Sequence, residues 1–171
     1  MKKIYITLAI LLLHLGMAIA QKYAFVDTEY ILNNIPNYKA AQEQLNKLSE
    51  DWQKEIEAKY AEIEKMYKDY QAERVLLAED MRRQREEAIV TREREAKELQ
   101  NDYFGQEGAL FKKRQELVEP IQDDIYNAIK ELAAENGYAA IFDTASGTSM
   151  IYTNPRYDIS DEVLQKLGYK N

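Results

Sequence analysis

The sequence predicts an α+β protein that is mostly α: a long antiparallel helical hairpin, a coiled-coil arm, on a small β-containing oligomerisation base. Three observations predict it. Between Asn37 and about Asn136 the chain has a single proline, Pro120, and only two glycines, Gly105 and Gly108, so almost nothing opposes helix there. Apolar residues in that stretch recur in steps of three and four. Strand-like segments are confined to the two ends of the remaining chain.

The first twenty residues stand apart from the fold. Lys2 and Lys3 precede an apolar run from Ile4 to Leu15, and Ala18-Ile19-Ala20 follows with small residues where a signal peptidase reads. This is the pattern of a cleavable secretory signal, so the mature protein is expected to be exported. The alternative is an uncleaved anchor, but the run is short for a bilayer, and nothing after Gln21 approaches roughly 18 consecutive apolar residues. No lipobox cysteine follows the run.

Removing Lys2 and Lys3 takes the formal charge from −7 to −9, which argues against general nucleic-acid binding. The only histidine, His14, lies in the signal, and there is no cysteine. A mature chain without either residue type has no Cys/His zinc site and no Cys-His or Ser-His-Asp nucleophilic system. The expectation is a protein that is not an enzyme and takes no metal or cofactor.

After the signal, Tyr23 to Val26 reads as a short strand, and a helical turn leads to Pro36. The base is expected to comprise residues 21–36 and 137–171, and the arm residues 37–136. Along the first arm helix Leu45, Leu48, Trp52, Ile56, Tyr60, Ile63, Tyr67 and Tyr70 form one seam. Its eleven-residue spacings, Leu45 to Ile56 and Ile56 to Tyr67, predict a nearly straight arm.

The seam fails at Val75-Leu76-Leu77, where three adjacent apolar residues cannot share a stripe, and acidic residues suited to a helix start follow. This puts the hairpin tip near residues 74–80. The rival is one uninterrupted helix of about 100 residues, roughly 150 Å long. From Met81 to Glu95 there are few apolar positions, so the outer arm should be thin, while Leu99, Tyr103, Leu110, Phe111, Leu117, Val118, Ile121, Ile125, Ile129 and Leu132 thicken it toward the base. Gly105 to Gly108 predicts a kink or short break, a candidate hinge. Pro120 predicts a second bend or a new helix start.

Asn136-Gly137 reads as a helix stop. Beyond it Tyr138–Phe142 and Ser149–Tyr152, joined by a turn, read as a β-hairpin. Asp158 to Gly168 reads as a short closing helix with Ser160 as its N-cap. These ends amount to about forty residues, too few for a comfortable core alone. The base should therefore oligomerise, with Phe25, Val26, Ile141, Phe142 and Ile151 as candidates for a shared core. The alternative is that they pack beneath their own helices.

Candidate chemistry is sparse. Glu86-Glu87 and Asp123-Asp124 are adjacent on helices and point apart. Asp143-Thr-Ala-Ser-Gly147 has alanine where an aspartic-protease loop has glycine, and no phosphate-loop lysine. Arg82, Arg83, Arg85, Arg92 and Arg94 form the one basic concentration. They could meet anionic headgroups, lipopolysaccharide or acidic client segments, or pair with Glu86, Glu87, Glu93 and Glu95 on a solvated face. Tyr60 and Tyr67 fit the seam, while Met66 and Tyr70 are candidates for contact with a client.

Taken in order, the signal, the Tyr23-Ala-Phe-Val-Asp27 strand, the charged hairpin, Gly137-Tyr-Ala-Ala-Ile-Phe-Asp143 and Asp158-Ile-Ser-Asp-Glu-Val-Leu164 resemble the Skp/OmpH family of periplasmic outer-membrane-protein chaperones. The resemblance covers essentially the whole mature chain and is most specific in Ala24–Asp27, Gly137–Asp143 and Asp158–Leu164. It implies a homotrimer whose helical arms surround a cavity and hold unfolded outer-membrane proteins without ATP. The departure is charge: well-known members are basic, whereas this chain is acidic, so electrostatic contact with clients, lipid or lipopolysaccharide would act locally through Arg82, Arg83 and Arg85. The competing expectation is a periplasmic coiled-coil scaffold that binds one folded partner or the envelope surface.

Overall fold

The computed structural model describes residues 21–147 and 150–169. The secretory segment expected at residues 1–20 lies outside them. The described order is β1 (Lys22–Val26), α1 (Thr28–Asn33), α2 (Pro36–Glu73), α3 (Glu79–Phe104), α4 (Ala109–Asn136), β2 (Tyr138–Asp143), a 3₁₀ turn (Pro155–Tyr157) and α5 (Ser160–Lys166). Contacts divide the chain into two units, one of residues up to Ile31 with those from Tyr126 onward, the other Leu32–Ile125.

The second unit is the hairpin. Pro36 starts α2 at a position where its fixed φ suits the helix and its missing N–H costs nothing. Ala41, Leu45, Ile56, Ile63 and Tyr70 then fall on one stripe and are buried. The helix ends at Glu73, and residues 74–78 turn the chain. Within the turn Leu76 N–H bonds Glu73 O at 2.8 Å. Val75 and Leu76 point outward, 90% and 88% exposed, while Leu77 tucks against Ile63, Tyr70, Ile89 and Ala96. That is how three adjacent apolar residues are reconciled with a single seam.

Pairs across the hairpin run antiparallel: Glu55 with Tyr103, Tyr60 with Gln100, Tyr67 with Glu93, Tyr70 with Glu86. They rule out one uninterrupted helix. Helix α3 buries only Ile89 and Ala96, as its sparse apolar pattern requires. Nearer the root, Ala41, Leu45 and Val118 form a second cluster with Tyr38, Leu110 and Leu117 packed on it.

Between α3 and α4 the backbone closes on itself, Gly105 N–H to Asn101 O at 2.8 Å and Gly108 N–H to Gly105 O at 2.9 Å. A Cβ on Gly105 would lie 2.4 Å from Asn101 O, and one on Gly108 2.8 Å from Tyr103 O. Glycine is needed there for space. Pro120, expected to bend the chain or begin a helix, instead lies inside the unbroken α4.

In the first unit β1 and β2 pair in parallel, Tyr23 opposite Ala140, Ala24 opposite Ile141, Phe25 opposite Phe142 and Val26 opposite Asp143. The expected C-terminal β-hairpin is therefore corrected: the partner of β2 is β1, and Met150–Tyr152 is not a strand, Ser149 being outside the described residues. A parallel pair of this kind needs a long crossover, here the whole arm. Ala24 and Val26 supply the buried face of β1, and Ile31, Ile159, Val163 and Leu164 are buried with them.

Helix α5 also departs from expectation. Ser160 is its first helical residue rather than its N-cap, and the cap position is Ile159, which makes no side-chain cap bond. The Ser160 hydroxyl is used elsewhere. Gly137 and Gly168, with φ of 69° and 85°, terminate α4 and α5 in the left-handed region that glycine enters freely. Lys166 anchors α5 to Glu131 and Glu135 of α4 at 3.0 and 2.8 Å, and both carboxylates raise its pKa, Glu135 most.

Candidate assembly and client-contact surfaces

The three stretches most distinctive in the sequence converge in the base. Asp27 N-caps α1, its Oδ1 accepting Tyr30 N–H at 2.9 Å. The Asp27 N–H in turn donates to Ser160 Oγ at 2.8 Å, and that hydroxyl donates to Asp158 Oδ1 at 2.6 Å. Asp143 takes Thr28 N–H at 3.2 Å and Thr28 Oγ1–H at 2.8 Å. Val26 O accepts Thr144 N–H at 2.8 Å, and Phe25 O accepts Ile159 N–H at 2.9 Å. The polar residues of these stretches thus tie strand ends to helix starts. Ser160 is 3% exposed, so its bonds lie away from competing water.

Strand pairing also decides which apolar residues face outward. Phe25 and Phe142 are opposite one another, with ring centroids 5.9 Å apart, and Tyr23 lies 6.2 Å from Phe142. Tyr23 and Phe142 are 44% and 43% exposed, Phe25 intermediate. One sheet face is core; the other is an uncovered aromatic surface.

The five residues singled out for a shared core therefore separate. Phe25 and Phe142 lie on the open face. Val26, 2% exposed, is a residue of this chain's own core, and Ile141 shares its side of the sheet and is partly buried. Ile151 is outside any strand and fully exposed.

On the arm, Tyr70 is 6% exposed and Met66 packs partly buried against the same cluster, so neither presents a free surface while the hairpin is closed. In the closed hairpin both side chains serve the seam between α2 and α3. Tyr60 and Tyr67, expected in the seam, straddle its rim at 39% and 41% exposure. The Tyr67 and Tyr103 hydroxyls donate to Glu93 and Glu55 at 3.3 and 2.9 Å, and Tyr70 donates to Glu86. The Glu93 charge raises the Tyr67 pKa, while hydrogen bonding to Glu86 and Glu55 raises those of Tyr70 and Tyr103.

The arginines differ from one another. Arg82 is held locally, Nε donating to Leu77 O at 3.2 Å with a guanidinium nitrogen 3.2 Å from Glu79. Arg85 reaches across the turn to Glu73 at 3.7 Å. Arg83 is exposed and makes no ion pair among the described residues. Sequence spacing missed the stack of Trp52 on Tyr103, because two residues on different helices share no local pattern. Asp27 before a helix start was a legible cap signal.

A charged helical hairpin joined to a small parallel sheet with one aromatic face open defines a mostly helical α+β class. The chain belongs to the OmpH-like family: the family described as Outer membrane protein (OmpH-like) matches it over residues 22–167. An uncharacterized protein of Aquifex aeolicus is 28% identical over 167 residues, covering 98% of this chain and 96% of that one. The same fold occurs in the crystal structure of an OmpH-like protein from Caulobacter crescentus, with a TM-score of 0.68, 13% identity and coverage of 86% of this chain and 83% of that chain.

Proposed function

We propose that this protein is an ATP-independent periplasmic holding chaperone for unfolded outer-membrane proteins, exported by a cleaved signal at residues 1–20. Three copies join through their bases, residues 21–36 and 137–171, and hold a client among arms formed by residues 37–136. Family membership supports the chaperone class, and the Caulobacter crescentus protein of the same fold is described as a candidate outer membrane chaperone.

The observation that carries the reading is the arm's surface. Its apolar side chains are few, scattered and outward, with Val75, Leu76, Val90 and Phe111 at 90%, 88%, 61% and 46% exposure along a charged hairpin. Isolated apolar contacts of this kind are individually weak and collectively adequate for a client that must later be released. The open aromatic face of Tyr23, Phe25 and Phe142 supports assembly, since a small core gains most by covering such a face with copies of itself.

The test is aggregation of an unfolded β-barrel protein diluted from urea, with and without this protein and with no nucleotide. Stoichiometric suppression is expected. No suppression at excess chaperone, together with tight binding of one folded protein, would replace this reading with the scaffold.

A further inference from the structure

We infer that Gln21 is a modification site: once exposed as the mature N-terminus it cyclises to pyroglutamate, assisted by Tyr23. The inference rests on the reading of residues 1–20 as a signal cleaved after Ala20. Cleavage there leaves a glutamine first, the one amide side chain whose Cδ lies within five-membered-ring reach of its own α-nitrogen.

Two features of the base favour the reaction. Gln21 is exposed, so no burial holds the side chain away from its own amine. The Tyr23 hydroxyl donates a 2.5 Å hydrogen bond to Gln21 Oε1. A donor on that oxygen withdraws electrons from Cδ and stabilises the negative charge that develops on oxygen as the amine attacks.

The step balances as an amide exchange. The neutral α-amine, the minor form near neutral pH because such amines titrate at about 7.7–8.0, adds to Cδ and the N–Cδ bond forms. The tetrahedral centre then collapses, the Cδ–Nε2 bond breaks, and the amide nitrogen leaves with the transferred proton as ammonia. No oxidant or co-reactant is required. The product is a lactam without the terminal positive charge.

That charge matters where it lies. Gln21 and Lys22 line one concave surface with Tyr23, Phe25, Tyr138 and Arg156. An α-ammonium would add a third cation to Lys22 and Arg156 on a surface rich in aromatic side chains. Cyclisation removes it and protects the chain from aminopeptidases.

The experiment begins with mass spectrometry of the protein recovered from the periplasm. A chain beginning at Gln21 and lighter by one ammonia is expected. A chain beginning elsewhere overturns the processing reading and removes the substrate for cyclisation. A chain beginning at Gln21 with a lasting free amine overturns cyclisation while leaving export intact. The full precursor is then cleaved in vitro with signal peptidase and the loss of ammonia followed in time, with Gln21→Ala, which cannot form the lactam, as the uncyclised reference. Tyr23→Phe, which keeps the ring beside Phe142, should cyclise roughly three- to tenfold more slowly. Equal rates would remove Tyr23 from the proposal.

Discussion

Trp52 of α2 stacks on Tyr103 of α3, ring centroids 4.7 Å apart and planes 10° from parallel, while Phe104 meets the same indole edge-on at 6.3 Å. The stacked Tyr103 sits two residues before Gly105, at the end of the returning helix. It braces the continuous helix against the interrupted one. The Gly105–Gly108 segment is a close-packed turn with an aromatic cluster beside it.

Replacing Trp52 with alanine should therefore loosen the middle of the arm. Loss of a half-buried indole and its ring contacts should cost roughly 1–3 kcal/mol. Hydrogen exchange should accelerate near residue 52 and over 98–108, while amides of β1 and β2 stay protected. Uniform acceleration throughout would show that the clamp serves the whole fold instead.

Much of this architecture was legible from one sequence, for definite reasons. The periodic α2 stripe and the crowded Val75-Leu76-Leu77 placed the helices and their reversal because both are local patterns. Strand pairing was not legible. Tyr138–Asp143 has strand character, but whether it pairs with a neighbour or with Lys22–Val26 depends on which face each strand buries, and the two segments are separated by the whole arm. The open aromatic face of Phe25 and Phe142 and the burial of Val26 within its own chain follow from that same register. The Tyr70 bond to Glu86 was not legible either, because a tyrosine at the end of a stripe looks the same whether its hydroxyl reaches a carboxylate or solvent.

Ser160 links the strand end at Asp27 to Asp158 ahead of α5. Ser160→Ala leaves Asp27 N–H and Asp158 short of partners at a site 3% exposed, so it should destabilise by about 1–3 kcal/mol. The urea midpoint should fall with little change in slope. An unchanged midpoint would mean that water replaces the hydroxyl without loss.

The open and closed sheet faces should respond differently. Phe142→Lys alters an exposed ring, and the stability of the single chain should stay within about 0.5 kcal/mol while assembly is lost. Val26→Ala, in the buried face, should instead lower stability by roughly 1–3 kcal/mol. Sedimentation at several concentrations, paired with thermal unfolding, separates the two. Self-association by Phe142→Lys at wild-type strength would show that another surface joins the copies.

The tyrosine–carboxylate bonds across the hairpin set an alkaline limit. Tyr67, Tyr70 and Tyr103 have folded-state pKa values raised above the ordinary phenol by Glu93, Glu86 and Glu55. A group raised on folding contributes stability that is fully present below its unfolded value, near 10, and lost as pH rises through the folded value. Tyrosinate absorbance should show a late-titrating subset that disappears on unfolding. Tyr70→Phe should shrink that subset and weaken the alkaline loss of arm structure, while its loss of stability at neutral pH stays constant between pH 6 and 8.

Arg82, Arg83 and Arg85 are close in sequence, yet only Arg83 leaves its charge uncommitted. Arg82 is tied to Glu79 and the Leu77 carbonyl, and Arg85 to Glu73. If the outer arm attracts acidic clients or anionic lipid locally, Arg83 carries most of that attraction despite the chain's overall negative charge. Arg83→Gln should weaken binding more than Arg82→Gln or Arg85→Gln, and the triple variant should lose little beyond the sum. Because an exposed charge acts through a screened field, the loss should shrink as ionic strength rises past about 0.15 M, where the Debye length is about 8 Å. Binding that is equal for wild type and triple variant at every salt concentration would mean that the arm recognises its partners through Val75, Leu76 and the other exposed apolar side chains, with no electrostatic share.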